Sequence, residues 1–163
     1  MAKNQRLNPA PLVEALHEER LCVLATVDGH ERPHLSAVSW LRGRPPEGID
    51  LLVGRTARLL KNLEHHPAVS LLLYLDSLYT LDGIARVVVE LVPEMPIPLS
   101  LVHIRVSGAY DSMFTGGRLL AGPRYVKDYP EKLGHLDTLV EHYLAERVTV
   151  AEAAEPLGGC PHA

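Results

Sequence analysis

Apolar positions along the chain recur with two different periods, and the switches between them mark the elements. Asn8 followed by Pro9 reads as a helix start, and Leu12, Leu16 and the charged run Glu18 to Arg20 predict a short amphipathic helix ending near Arg20. Leu21 to Val27 is an apolar run with β-branched residues, closed by the turn dipeptide Asp28-Gly29, and Pro33 to Leu41 follows as the returning strand of a hairpin. After the loop from Arg42 to Gly48, Ile49 to Val53 predicts a third strand ended by Gly54. The period then lengthens. Leu59, Leu60 and Leu63 fall on one helical face between Thr56 and His66, and Pro67 stops the pattern. Val69 to Leu75 is almost wholly apolar, as a strand covered on both faces would be. Ile84 to Val92 predicts a fifth strand, and Pro93 to Pro98 a stiff extended connector. Leu99 to Tyr110 alternates, with Val102, Ile104 and Val106 on one face and His103, Arg105 and Ser107 on the other. Met113 to Pro123 reads as loop around Gly116-Gly117. A last helix over Pro130 to Arg147 carries the stripe Leu133, Leu136, Val140, Tyr143 and Leu144.

Six strands broken by one helix and flanked by terminal ones predict a mainly β fold, a small antiparallel barrel rather than a parallel sheet. The length of 163 residues fits a single domain, with the barrel at 21–110, a helical extension at 111–150 and a loose tail at 151–163. At 47% hydrophobic and 22% charged the composition is that of an ordinary globular chain, which needs no disulfide or metal to fold. Its two cysteines, Cys22 in an apolar run and Cys160 near the end, make no disulfide framework and point to a reducing cytoplasm. No stretch is long and apolar enough to span a membrane. A net charge of −4 gives no electrostatic support for nucleic acid or an anionic membrane, so any anion site must be local.

Two windows break the expected patterns. In Gly54-Arg-Thr-Ala-Arg-Leu-Leu-Lys61 a strand ends and a helix begins, where unpaired N–H groups and the positive end of the helix dipole attract anions, phosphates above all. Arg55, Arg58 and Lys61 add charge there, and Thr56 can cap the helix or donate its hydroxyl to the same anion. The same residues fit a solvated basic face with Thr56 as a plain cap. In the second strand, Ser36 and Ser39 sit where a core strand prefers aliphatic residues, so Ser36, Ala37, Val38, Ser39 and Trp40 could line a flat heteroaromatic ligand or bond to neighbouring strands. Nine histidines do not make a metal site: His135 and His142 share a helix face but lie about 10 Å apart along the axis, and His103 is expected to face solvent or an interface. Cys160 and His162 could coordinate something only if the tail folds back. No nucleophile elbow or phosphate loop is present.

The run Val23-Leu-Ala-Thr-Val-Asp-Gly-His-Glu-Arg-Pro-His-Leu-Ser-Ala-Val-Ser-Trp40, with Asp50-Leu-Leu-Val-Gly-Arg-Thr-Ala-Arg-Leu-Leu-Lys-Asn-Leu63 and Pro67-Ala-Val-Ser70, resembles the FMN-binding split-barrel family that includes pyridoxamine 5'-phosphate oxidase. The resemblance implies a six-stranded Greek-key split barrel and a homodimer with one FMN per subunit at the interface. It maps the FMN phosphate onto Arg55, Thr56, Arg58 and Lys61 and the flavin ring onto Ser36 to Trp40, the two windows already singled out. Lys61 stands directly before Asn62, where family members often place a lysine two or three residues earlier, which implies rearranged phosphate contacts. The chain also has Ser36 where pyridoxamine-phosphate oxidases carry an arginine, and it lacks their C-terminal Trp and Arg-Leu-x-Pro. The expectation is therefore an FMN-dependent oxidoreductase with another small-molecule substrate or electron donor. The alternatives are a flavin or haem carrier without turnover, or a haem-degrading relative using His142 or His162. The apolar stripe of the last helix predicts packing on the barrel or across the dimer, covering the substrate side of the flavin.

Overall fold

The computed structural model describes residues 5–153, with side chains through Arg147. Seven strands form one antiparallel sheet: β1 (Cys22–Val27), β2 (Pro33–Val38), β3 (Leu41–Arg44), β4 (Gly48–Gly54), β5 (Ala68–Tyr74), β6 (Leu78–Val89) and β7 (Leu99–Asp111), ordered β2-β1-β5-β6-β7-β4-β3. The two edge strands, β2 and β3, are consecutive in the chain and joined only by Ser39 and Trp40. A sheet whose opposite edges are tied so closely has to curl until those edges meet. The result is a barrel with a seam at Ser39-Trp40, flanked by α1 (Ala10–Glu14), α2 (Arg58–His65) and α3 (Leu136–Ala153).

Alternation along the strands sorts the apolar side chains into two cores. Leu24, Ile49, Leu51, Leu71, Leu81 and Ile104 fill the barrel, each at most 1% exposed. Leu52, Leu99 and Leu101 point out of it and meet Leu136, Val140 and Leu144 of α3. Each such side chain removed from water contributes roughly 1.5–3 kcal/mol, so α3 is held by its stripe as firmly as a strand is by its inner face. The mainly β, antiparallel barrel with flanking helices is as the sequence predicts.

Four details differ. The loop expected after Leu41 contains β3. Gly43 is there because α1 lies against it: a Cβ would stand 1.9 Å from the Val13 carbonyl oxygen. This adds the seventh strand and ends β2 at Val38. Second, β6 begins at Leu78 rather than Ile84, since a register shift at Asp82/Gly83 lets the strand run through the glycine. Third, β5 is not covered on both faces: Val69, Leu71 and Leu73 are buried, whereas Ser70, Leu72 and Tyr74 are half-buried, because only the barrel side has a core. Fourth, the last helix is split into a 3-10 turn at Glu131–Leu133 and α3, which runs past Arg147 to Ala153. Of the tail expected at 151–163, only Ala151–Ala153 fall among the described residues; Cys160 and His162 lie outside them.

Candidate functional site

At the seam, β3 covers β4 only as far as the pair Leu41–Leu51. The Leu52 N–H donates to the Trp40 carbonyl at 2.8 Å, and beyond it no strand pairing joins β2 to β4. The free edge of β2 and the overhang Leu52–Gly54 therefore face each other across an open groove of about 310 Å³. That volume is at the lower end of small-molecule sites, roughly 300–1,000 Å³. Ser36, Ala37, Val38, Ser39 and Trp40 form one wall; Leu52, Val53, Gly54, Ala57 and Leu59 form the other. Edge backbone groups and two hydroxyls supply polarity to an otherwise apolar slot.

One end of the groove runs into the start of α2. The helix begins at Arg58 after an extended Ala57, with no side-chain cap, so Thr56 does not cap it and the first-turn N–H groups have no side-chain acceptor. Arg55, Thr56, Arg58 and Lys61 are all exposed around that end; none of the four lines the groove itself, although Ala57 and Leu59 between them do. Arg58 is partly engaged, donating to Asp28 Oδ2 at 3.3 Å beside Arg32 at 2.9 Å. The Arg32 and His30 backbone N–H groups and the Arg32 guanidinium hold the Asp28 carboxyl far below the usual range, against the burial that would raise it. Helix α2 is seated by Asn62, whose buried amide donates to Thr26 Oγ1 at 2.8 Å, and by buried Leu63. The Lys-Asn-Leu triplet thus serves docking at its second and third positions and leaves Lys61 in solvent.

The other end is aromatic: Trp40 is where the sequence placed it, whereas Tyr129 and the charges around it carried no signal. Tyr129 joins the groove lining, its ring 6.4 Å from that of Trp40 and tilted by 43°. Asp137 Oδ1 accepts from Trp40 Nε1 at 2.7 Å, from Lys127 Nζ at 2.7 Å and, at a long 3.5 Å, from the Tyr129 hydroxyl. Lys127 also pairs with Glu19 and stands 5.5 Å from the Trp40 ring centroid. Burial would lower the Lys127 pKa, but its bonds to Asp137 and Glu19 raise it overall. Burial would raise that of Asp137, yet Lys127 and Trp40 bring it down.

A second carboxylate hub lies under the far end of α3. Asp50, fully buried on β4, accepts from His103 Nδ1 at 2.8 Å, Arg147 Nε at 3.2 Å and Arg44 Nη1 at 3.5 Å. His103 is thus an internal partner of Asp50 rather than a solvent-facing residue. The signal was available, since Asp50 is the one charge inside the apolar run Ile49–Val53. Elsewhere, burial pushes the Cys22 thiol up to about 12, which leaves it unreactive. His142 is exposed and pairs with Glu146 at 3.0 Å, away from the groove lining.

The sequence model of the pyridoxamine 5'-phosphate oxidase family matches residues 9–101. The chain belongs to this family. No curated protein matches it in sequence. Among solved structures, the oxidase-family barrel is similar to HupZ of Group A Streptococcus, with 15% identity, TM-score 0.54 and coverage of 64% of this chain and 94% of that one. It is similar also to General Stress Protein 26 of Bacillus anthracis, with 18% identity, TM-score 0.52 and coverage of 63% and 91%. HutZ, the heme storage protein from Vibrio cholerae, matches with 20% identity, TM-score 0.50 and coverage of 64% and 95%. At these identities the likeness is one of fold. The family match stops at residue 101, so Lys127, Tyr129, Asp137 and α3 lie beyond it.

Proposed function

We propose that the chain is an FMN-binding flavoprotein that works as an oxidoreductase on a small-molecule substrate or electron donor other than a vitamin B6 phosphate. The observation that carries this reading is the groove, which joins the Ser36–Trp40 wall to the uncapped start of α2. The residues suit the group. A phosphate dianion would meet the N–H groups of Arg58 and Leu59 at the start of α2, the Thr56 hydroxyl and the charges of Arg55, Arg58 and Lys61. A flat heteroaromatic ring would find aliphatic faces in Val38, Leu52 and Val53, and hydrogen-bond partners in Ser36, Ser39 and the unpaired edge of β2. When bound, FMN supplies the transfer of a hydride or electron pair through its ring. The chain's own groups bind it, orient it and keep water from one of its faces, which accounts for the lack of a nucleophile or triad. The proposal extends to a cytoplasmic homodimer with FMN at the subunit interface, supported by the family resemblance. Light scattering with FMN present should give the mass of two chains.

The test is a visible spectrum after excess FMN and gel filtration: retained flavin bands are expected, and a colourless protein overturns the reading. Arg58→Ala with Lys61→Ala should weaken binding by several kcal/mol in total, since each charge-assisted phosphate bond contributes about 1.5–3 kcal/mol. A second reading is haem binding without turnover, for which the likeness to the heme storage protein of Vibrio cholerae speaks. A Soret band in place of flavin bands would establish it.

A further inference from the structure

We infer that Tyr129 and Trp40 form an aromatic wall that grips a planar ring of the groove's ligand, and that Asp137 and Lys127 are positioning residues that hold this wall in place. The inference rests on the groove being the ligand site proposed above. It assigns ligand selection to a stretch of chain outside the family match.

Tyr129 sits at the end of an irregular segment, residues 112–130, most of which is exposed. Irregular segments of this length within a compact domain usually serve a site or are disordered. This one is fastened where it reaches the groove. Lys127 bridges Glu19 and Asp137 while lying over Trp40, and the adjoining Tyr125 hydroxyl donates to Glu19 at 2.7 Å. The indole cannot turn without giving up its bond to Asp137. Asp137 itself stands in the first turn of α3, where the helix dipole favours a carboxylate. Lys127 and Asp137 are each shifted toward their charged forms, so the assembly is fixed across neutral pH and does not act as a proton switch. Among the described residues of this chain, no other one lining the groove is aromatic. A conjugated ring entering the slot therefore finds stacking partners at this end alone, opposite the cationic start of α2, and the preferred ligand has a planar ring at one end and an anion at the other.

Trp40 is the only tryptophan in the chain, so its emission reports on the groove directly. The full-length protein would be titrated with FMN, with riboflavin, which lacks the phosphate, and with haemin, while Trp40 fluorescence is followed. Tyr129→Leu should weaken FMN and riboflavin by the same factor, about threefold to tenfold. Tyr129→Phe should restore most of that loss. Lys61→Ala should weaken FMN and leave riboflavin unchanged. Asp137→Asn should shift the Trp40 emission of the ligand-free protein and weaken both flavins. Combined with Tyr129→Leu it should weaken them further, because its short bond holds Trp40 while its bond to Tyr129 is long. Tyr129→Leu with wild-type affinity for every probe overturns the wall. A protein that takes haemin in a Tyr129-dependent way but no flavin upholds the wall and removes the FMN reading. A correctly folded wild-type chain whose Trp40 answers none of the three overturns both.

Discussion

Helix α3 is held to the barrel at two points by carboxylates of opposite ownership and opposite exposure. At its start the helix contributes Asp137, whose side chain is 39% exposed and receives Trp40 and Lys127. Ten residues further on it contributes Arg147, which reaches Asp50 on β4, a side chain at 0% exposure that also receives His103 and Arg44. Similar bonds do different work in the two places. A half-exposed pair contributes little to stability, because water competes for both partners, whereas removing a fully buried carboxylate strips the half-buried guanidiniums gathered around it of their counter-charge. The Asp50 clasp therefore secures the fold, and the Asp137 clasp, beside the groove, secures geometry.

Substitutions should separate the two. Asp50→Ala should cost about 3–5 kcal/mol in urea unfolding, toward the lower figure because its cationic partners keep some access to solvent. A loss below about 1 kcal/mol would place the Asp50 clasp in the same class as the exposed one. Leu136→Ala, in the apolar stripe that packs α3 on the outer core, should cost about 2–3 kcal/mol, since the cavity opens at the first turn of the helix and can partly collapse. Acid should act through the depressed carboxylates Asp28, Asp50 and Asp137, of which Asp50 is the one fully buried. Burial alone would raise its pKa, but the His103 hydrogen bond and the charges of Arg44 and Arg147 more than offset this and hold it below the usual value. A carboxyl depressed in the folded state stabilises above its unfolded pKa, about 3.9, and that contribution fades as pH falls through the folded value. The wild type should thus lose stability steeply below about pH 4, and Asp50→Asn should flatten that limb of the curve. Smallest of all, Asp137→Ala should cost under about 1 kcal/mol while still shifting Trp40 emission. A loss as large as that of Asp50→Ala would erase the distinction.

Much of this was legible in the chain. The barrel interior follows from the alternation of Val102, Ile104 and Val106 and from the apolar runs around Leu24 and Leu71. One wall of the groove was marked by a broken pattern, the serines at 36 and 39; the cationic helix start after Gly54 marked one end of it, while the second wall, Leu52 and Val53, reads as ordinary strand. Strand β3 was hidden because Gly43 and the prolines at 45 and 46 are turn residues in any local reading, and only the approach of α1 explains the glycine. The stripe Leu136, Val140 and Leu144 showed that α3 packs, without showing that it packs on the outer face of β4 and β7. Trp40 and Asp137 are 97 residues apart, and no local pattern links an indole to a carboxylate at that separation. Tyr129 was out of reach for the same reason: the ring it meets, Trp40, lies 89 residues earlier in the chain.

The two-residue link between the edges of the sheet also fixes the shape of the slot. From Val38 to Leu41 the chain spans at most roughly 11 Å even when fully extended, and the Leu52–Trp40 bond draws the edges together there. The slot consequently works as a wedge hinged at Trp40, narrow where the rings stand and free to widen only toward Gly54 and α2. A thin, flat molecule can slide to the hinge, while a bulky or branched one is stopped near the mouth, so thickness would be screened before any hydrogen bond is made.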